Sequence, residues 1–238
     1  MRPELPDGRP RLPAEVYRDL RGTAKAADLE QVMQAFAVAG EALAHGDVTR
    51  AIEVLSWAKR SAARSPFIRE ALGIAQYLAG DLAAAYRELL TYRRLSGRGD
   101  QNHLLADCAR AAGRPDKVVE YVEEMISARV APDRVAEGLL VLAGDRADRG
   151  DLRGALDALG RGELAPDRVQ PWHPRLWYLA GDLWERAGDL DRAREYFEAI
   201  TSVTDGFLDA EDRLAALSGE DSAEDHQAGE GEDWAVRD

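Results

Sequence analysis

The sequence predicts an all-α chain: a right-handed α-solenoid of about five helix hairpins, closed by a C-terminal capping helix and followed by a disordered acidic tail. Three observations carry that expectation. Glycine turns recur at Gly46, Gly80, Gly113, Gly150 and Gly188, at intervals of 34, 33, 37 and 38 residues. Four of these glycines precede Asp, and the fifth opens Gly113-Arg114-Pro115. Residues at fixed offsets also repeat in character. Seven before each glycine stand Ala39, Gly73, Ala106, Ala143 and Gly181; five after come Ala51, Ala85, Val118, Ala155 and Ala193; nine after come Leu55, Leu89, Val122, Leu159 and Phe197.

Each part of this pattern has a mechanical reason. Glycine can take the left-handed conformation that ends a helix, and Asp can accept from the free amides that begin the next one. Pro115 suits a first helical position, where its missing donor costs little. Small residues let two helices approach closely, and the large residue on the same face of the partner helix fills the groove. The spacing accommodates two short helices and two turns, so helix pairs are predicted at 32–63, 66–95, 100–127, 132–160 and 174–203. Each pair is amphipathic and must stack on a neighbour to hide its apolar face. Phe207, Leu208, Leu214 and Leu217 predict a final capping helix at 209–217, and Val16, Tyr17 and Leu20 a short one at the other end. Between the last two pairs, Pro166, Pro171 and Trp172 lengthen the connection and predict a bend. The domain expectation is a disordered segment at 1–13, one solenoid domain at 14–218, and a disordered tail at 219–238.

Composition narrows the function. The chain has 238 residues, of which 45% are hydrophobic, enough for a core but with no apolar run long enough to span a membrane. Residues 1–13 contain arginines and prolines without the apolar stretch of a secretory signal, so the cytoplasm is the expected address. Cys108 is the only cysteine, which excludes an intrachain disulfide. Net charge is -13, and the stretch 219–238 carries eight acidic side chains against Arg237 alone. The stretch 59–98 runs the other way, with Lys59, Arg60, Arg64, Arg69, Arg87, Arg93, Arg94 and Arg98 against Glu70, Asp81 and Glu88. Phosphate-cradling, zinc-protease, redox-cysteine and nucleophile-elbow motifs are all missing, and the four histidines are dispersed. No enzyme activity, cofactor or metal site is expected.

The fifth helix pair, with Trp177, Gly181, Trp184, Gly188, Ala193 and Phe197, resembles the tetratricopeptide repeat (TPR), whose first helix carries Trp, Leu, Gly and Tyr and whose second carries Ala, Phe and Ala. Leu72, Gly73, Gly80, Ala85 and Leu89 extend the resemblance to the second pair, and it covers about residues 32–204. Asn102 and Arg146 depart from it at usually apolar positions, and Val118 replaces the signature Ala, which predicts irregular packing there.

What the resemblance implies is a concave groove, lined by first helices, that binds a peptide or helix of a partner protein. Ligands in such arrays usually meet the second, fifth, ninth, twelfth and thirteenth residues of a repeat. In this sequence those positions give Met33, Phe36 and Leu43 in the first pair, and Phe67, Glu70, Ile74 and Tyr77 in the second. Together these make an apolar surface suited to an amphipathic helix. The third and fifth pairs give His103, Asp107, Arg110, Tyr178, Asp182, Glu185 and Arg186, a polar set of mixed charge. The branch of the family that clamps a C-terminal carboxylate through Lys and Asn is not implied, because Phe36, Gly40, Glu70 and Ile74 stand at those positions. An alternative is a nucleic-acid-associated helical repeat using the basic edge at 59–98, although the net charge weighs against nucleic acid as a partner. The acidic tail could fold back onto the same edge with Trp234 as its anchor.

Overall fold

A computed structural model describes residues 3–6, 8 and 10–218, and among these no strand occurs. The helices are α1 (Ala14–Thr23), α2 (Leu29–Ala44), α3 (Val48–Ser61), α4 (Pro66–Leu78), α5 (Leu82–Ser96), α6 (Asn102–Ala111), α7 (Pro115–Ser127), α8 (Pro132–Asp148), α9 (Leu152–Gly160), α10 (His173–Arg186) and α11 (Leu190–Thr201). A short 3-10 turn, Ala26–Asp28, leads into α2, and residues 210–218 are helical. From α2 onward the helices fall into five hairpins that match the predicted pairs to within a few residues. The tail and Trp234 lie outside the described residues.

The turns behave as their residues dictate. Gly80 takes φ +78°, a conformation that only glycine adopts without strain, and the amide of Asp81 donates back to Gln76 O at 3.0 Å. The Asp81 carboxylate then accepts from Ala84 N at 3.0 Å and starts α5. Asp47, Asp151 and Asp189 cap α3, α9 and α11 in the same way, at 2.9, 2.9 and 3.2 Å. At the third turn Arg114 offers no side-chain cap, and Pro115 occupies the start of α7.

The chain divides into two compact units, Met1–Val141 and Leu142–Asp238. In the first unit, Val32, Ala35, Ala39, Ala51, Val54, Leu55, Ala58, Ile68, Leu72 and Ala75 form one buried core, which Val16 and Leu20 of α1 complete. In the second, Trp177, Ala193, Phe197, Ile200, Ala210 and Leu217 form another, so the helix over 210–218 covers the last hairpin. The offset pattern now has a cause. A Cβ on Gly73 would lie 2.8 Å from Leu89 Cγ, and one on Gly181 would lie 2.8 Å from Phe197 Cζ. In these two hairpins the position seven before the turn faces the position nine after it, and both positions are buried in all five hairpins.

Three local expectations are refined. Asn102 is held by its Nδ2, which donates to Glu124 Oε2 at 3.0 Å and to Tyr121 O at 3.4 Å, while its buried Oδ1 has no hydrogen-bond partner among the described residues. Arg146 likewise reaches Gly154 O on α9 at 2.6 Å. The described part of the N-terminal segment, for which composition predicts disorder, lies against α2 and α3: Leu5 and Leu12 pack on the core, and Gln34 Nε2 donates to Pro6 O at 2.8 Å. Its prolines restrict the backbone beforehand, so little further conformational freedom is lost when two leucines find apolar cover.

Candidate functional site

In the first unit the first helices of successive hairpins, α2, α4 and α6, share one face. Its α2 end is apolar: Phe36 and Leu43 are half-buried on the core and Met33 is buried, while Phe67 and Ile74 continue the face on α4 as half-buried side chains. Toward α6 and the start of α8 it becomes polar. Gln101 Nε2 donates to Glu70 Oε1 at 2.7 Å, and Arg134 Nη1 donates to Gln101 Oε1 at 2.9 Å. Tyr77 donates its hydroxyl hydrogen to Asp107 Oδ2 at 2.7 Å, and Arg110 lies 3.6 Å from the other oxygen of that carboxylate.

Electrostatics follow from burial. Burial raises the Glu70 carboxyl and the nearby charge of Asp100 adds to this, while the bond from Gln101 works in the opposite direction. His103 is buried beside Arg134, and both effects push its imidazole down to about 4, so it is neutral at physiological pH. Tyr77 is held well above the ordinary phenol range by burial and by its bond to Asp107.

In the second unit α10 presents a polar group that its own chain engages. Arg213, from the helix over 210–218, donates to Asp182 Oδ1 at 3.2 Å and to Glu185 Oε2 at 2.5 Å. Its guanidinium lies 4.7 Å from the centre of the Phe197 ring and 5.6 Å from that of Tyr178. Tyr178 also donates to Asp209 Oδ1 at 2.5 Å.

The basic edge is largely paired within the fold. Lys59 and Arg69 both bind Glu88, at 2.8 and 2.5 Å, Arg93 binds Glu124 at 2.6 Å, and Arg98 binds Asp100 at 2.7 Å. Burial alone would raise the Glu88 carboxyl, but its two cationic partners hold it below the ordinary carboxylate range. Of the eight cations, Arg64, Arg87 and Arg94 have no ion pair among the described residues. Also among the described residues, no helix is long and apolar enough to cross a membrane, and no group of three or more His, Cys, Asp or Glu side chains is placed to hold a metal ion.

No protein-family model matches this sequence, and no curated protein matches it. Solved structures do. YrrB, described as a TPR protein with an unusual peptide-binding site, is 14% identical with a TM-score of 0.52, over 75% of this chain and 89% of its own. Pseudomonas aeruginosa pilF is 15% identical with a TM-score of 0.64, over 82% of this chain and 86% of its own. A thermophilic TPR protein from Thermus thermophilus is 18% identical with a TM-score of 0.57, over 78% of this chain and 98% of its own. The chain has a tetratricopeptide-repeat fold.

Within that TPR fold, the fourteen positions carried over from the repeat divide between the two units. Ten lie on α2, α4 and α6, where bonds join Glu70 and Tyr77 to the next first helix. Four lie on α10, where Tyr178, Asp182 and Glu185 are engaged by Asp209 and Arg213. The residues that sequence reasoning passed over are Gln101, Arg134 and Arg213. A signal for them existed, since their bonded partners stand 28 to 33 residues apart along the chain, close to one TPR repeat.

Proposed function

We propose that this protein is a non-catalytic interaction scaffold, and that the face formed by α2, α4 and α6 holds a peptide or amphipathic helix of a partner protein. One observation carries the reading: a row of half-buried apolar side chains, Phe36, Leu43, Phe67 and Ile74, runs into a polar ladder whose members already bond to one another. An amphipathic segment laid across it would bury its apolar side on the α2 end. Its polar side would exchange hydrogen bonds with Glu70, Tyr77 and Asp107. The ladder keeps the receiving side chains in place beforehand, which lowers the entropy lost on binding. The peptide-binding site named for YrrB, on the same fold, supports a peptide ligand here.

The test is photo-crosslinking in the native cell, with a reactive side chain at position 74 or 77 and, as control, at Thr91 on α5. A discrete protein adduct from positions 74 and 77 and not from 91 is the expected result. Equal yields from all three positions would remove the assignment of this face.

A further inference from the structure

A cavity lies away from the first-helix face, among the turns of the second and third hairpins and wholly within the unit Met1–Val141. It has a volume of about 560 Å³ and is lined by Leu82, Ala83, Tyr86, Cys108, Ala109 and Ala112, with Arg87 and Arg114 also at its wall. It is open because small residues face it from both hairpins, Ala83 on α5 and Ala109 and Ala112 at the end of α6. Its aromatic wall is set before any ligand arrives: the Tyr86 hydroxyl is 2.8 Å from that of Tyr121, and the two rings meet edge to face at 6.4 Å. A hollow of this size takes a large side chain with its neighbouring backbone. Burial, with the Asp107 charge behind it, pushes the Cys108 thiol up to about 12, so this residue supplies apolar wall and no nucleophile.

The charge at the rim is one-sided. Neither Arg87 nor Arg114 has an ion pair among the described residues, and Arg114 lies 5.7 Å from the centre of the Tyr86 ring. The one carboxylate in the lining, Asp81, already accepts from the amide of Ala84. Lys59, Arg69, Arg93 and Arg98, by contrast, are each matched to a carboxylate of the fold. Two arginines above an apolar floor suit carboxylates on either side of a large apolar anchor. A track of phosphates would meet only the rim and leave the floor empty, and the net charge of -13 opposes it.

We propose that this cavity binds an acidic segment of a partner protein through a tryptophan or phenylalanine side chain, whose neighbouring carboxylates meet Arg87 and Arg114. The turn edge is then a second docking site, separate from the face of α2, α4 and α6, and either reading can fail without the other.

The experiment uses the full chain and a fluorescein-labelled synthetic peptide in which one tryptophan stands between pairs of glutamates, followed by fluorescence anisotropy. Saturable binding is expected below about 1 mM peptide at low salt, and it should weaken as salt rises from about 0.05 to 1 M. The double variant Arg87→Glu/Arg114→Glu should weaken it at least about tenfold, as should a peptide carrying alanine for tryptophan. Ala83→Leu fills the hollow while leaving both arginines in place, and should also cost at least about tenfold. Ala83, Arg87 and Arg114 are all exposed, so circular dichroism of these variants should match the parent. The proposal is overturned by an absence of saturable binding, by an alanine peptide that binds as well as the tryptophan one, or by binding that ignores either the arginine reversal or Ala83→Leu.

Discussion

Replacing Gly181 with alanine tests the close approach of α10 and α11 in the last hairpin. On helix propensity alone the change should stabilise by about 0.8–1 kcal/mol, because glycine is the poorer helix former. Geometry predicts the reverse. The new Cβ would lie 2.8 Å from Phe197 Cζ and 3.1 Å from Cε1 and Cε2. Phe197 is fully buried and cannot swing aside, since Tyr178 packs on its ring at 6.0 Å and Arg213 lies 4.7 Å from its centre. Forcing a methyl group into a packed core costs about 1–3 kcal/mol, so a net loss of about 1 kcal/mol is expected after the propensity gain. The fall in Tm should then be about 2–4 °C. Tryptophan fluorescence in urea suits the measurement, because Trp172, Trp177 and Trp184 lie in the second unit. In a Phe197→Leu background the same alanine should become neutral or stabilising, giving a coupling of about 1 kcal/mol or more. A plain rise in stability for Gly181→Ala would refute the reasoning.

Other outcomes follow from the same structure. His103 titrates near 4 when folded against about 6.5 when unfolded, so the unfolded chain takes up the proton first as pH falls. Stability should therefore be full above about pH 6.5 and decline toward pH 4 by on the order of 3 kcal/mol, and His103→Gln should flatten that slope in urea titrations. Arg213→Ala leaves Asp182 and Glu185 without their shared cation; amide exchange over residues 210–218 should accelerate, with a loss of about 1–2 kcal/mol. Asp81→Ala removes the cap on α5 and should cost about 1 kcal/mol by thermal denaturation, while the equivalent change at Arg114, which caps nothing, should cost less than about 0.5 kcal/mol.

The hairpins were legible because their determinants are local. Gly80 and Asp81 end one helix and begin the next through bonds that span five residues or fewer, and the Gly73 to Leu89 contact lies within a single hairpin. What escaped the sequence reading depends on partners brought in from other helices. Counting charges over 59–98 leaves Arg93 unpaired, because Glu124 sits on α7, and it cannot show that Lys59 and Arg69 converge on Glu88. Asn102 looked misplaced for the same reason, since the groups that accept from its Nδ2, Tyr121 O and Glu124, come from the next helix. For the N-terminal stretch, average composition does not show that Leu5 and Leu12 find apolar cover or that Gln34 reaches Pro6 O. At the candidate site, register placed Tyr77 and Asp107 on one face. Their direct bond depends on the side-chain geometry that α4 and α6 acquire only together.

The bonds that close the Gly-Asp corners involve no residue of any other hairpin. Each corner is thus a self-contained instruction, whereas the bonds from Lys59 to Glu88, Arg93 to Glu124 and Tyr77 to Asp107 tie each module to its neighbour, so a module placed elsewhere has to bring matching partners with it. The two ends add contacts of their own, from α1 and from Arg213, that close off faces no further module covers.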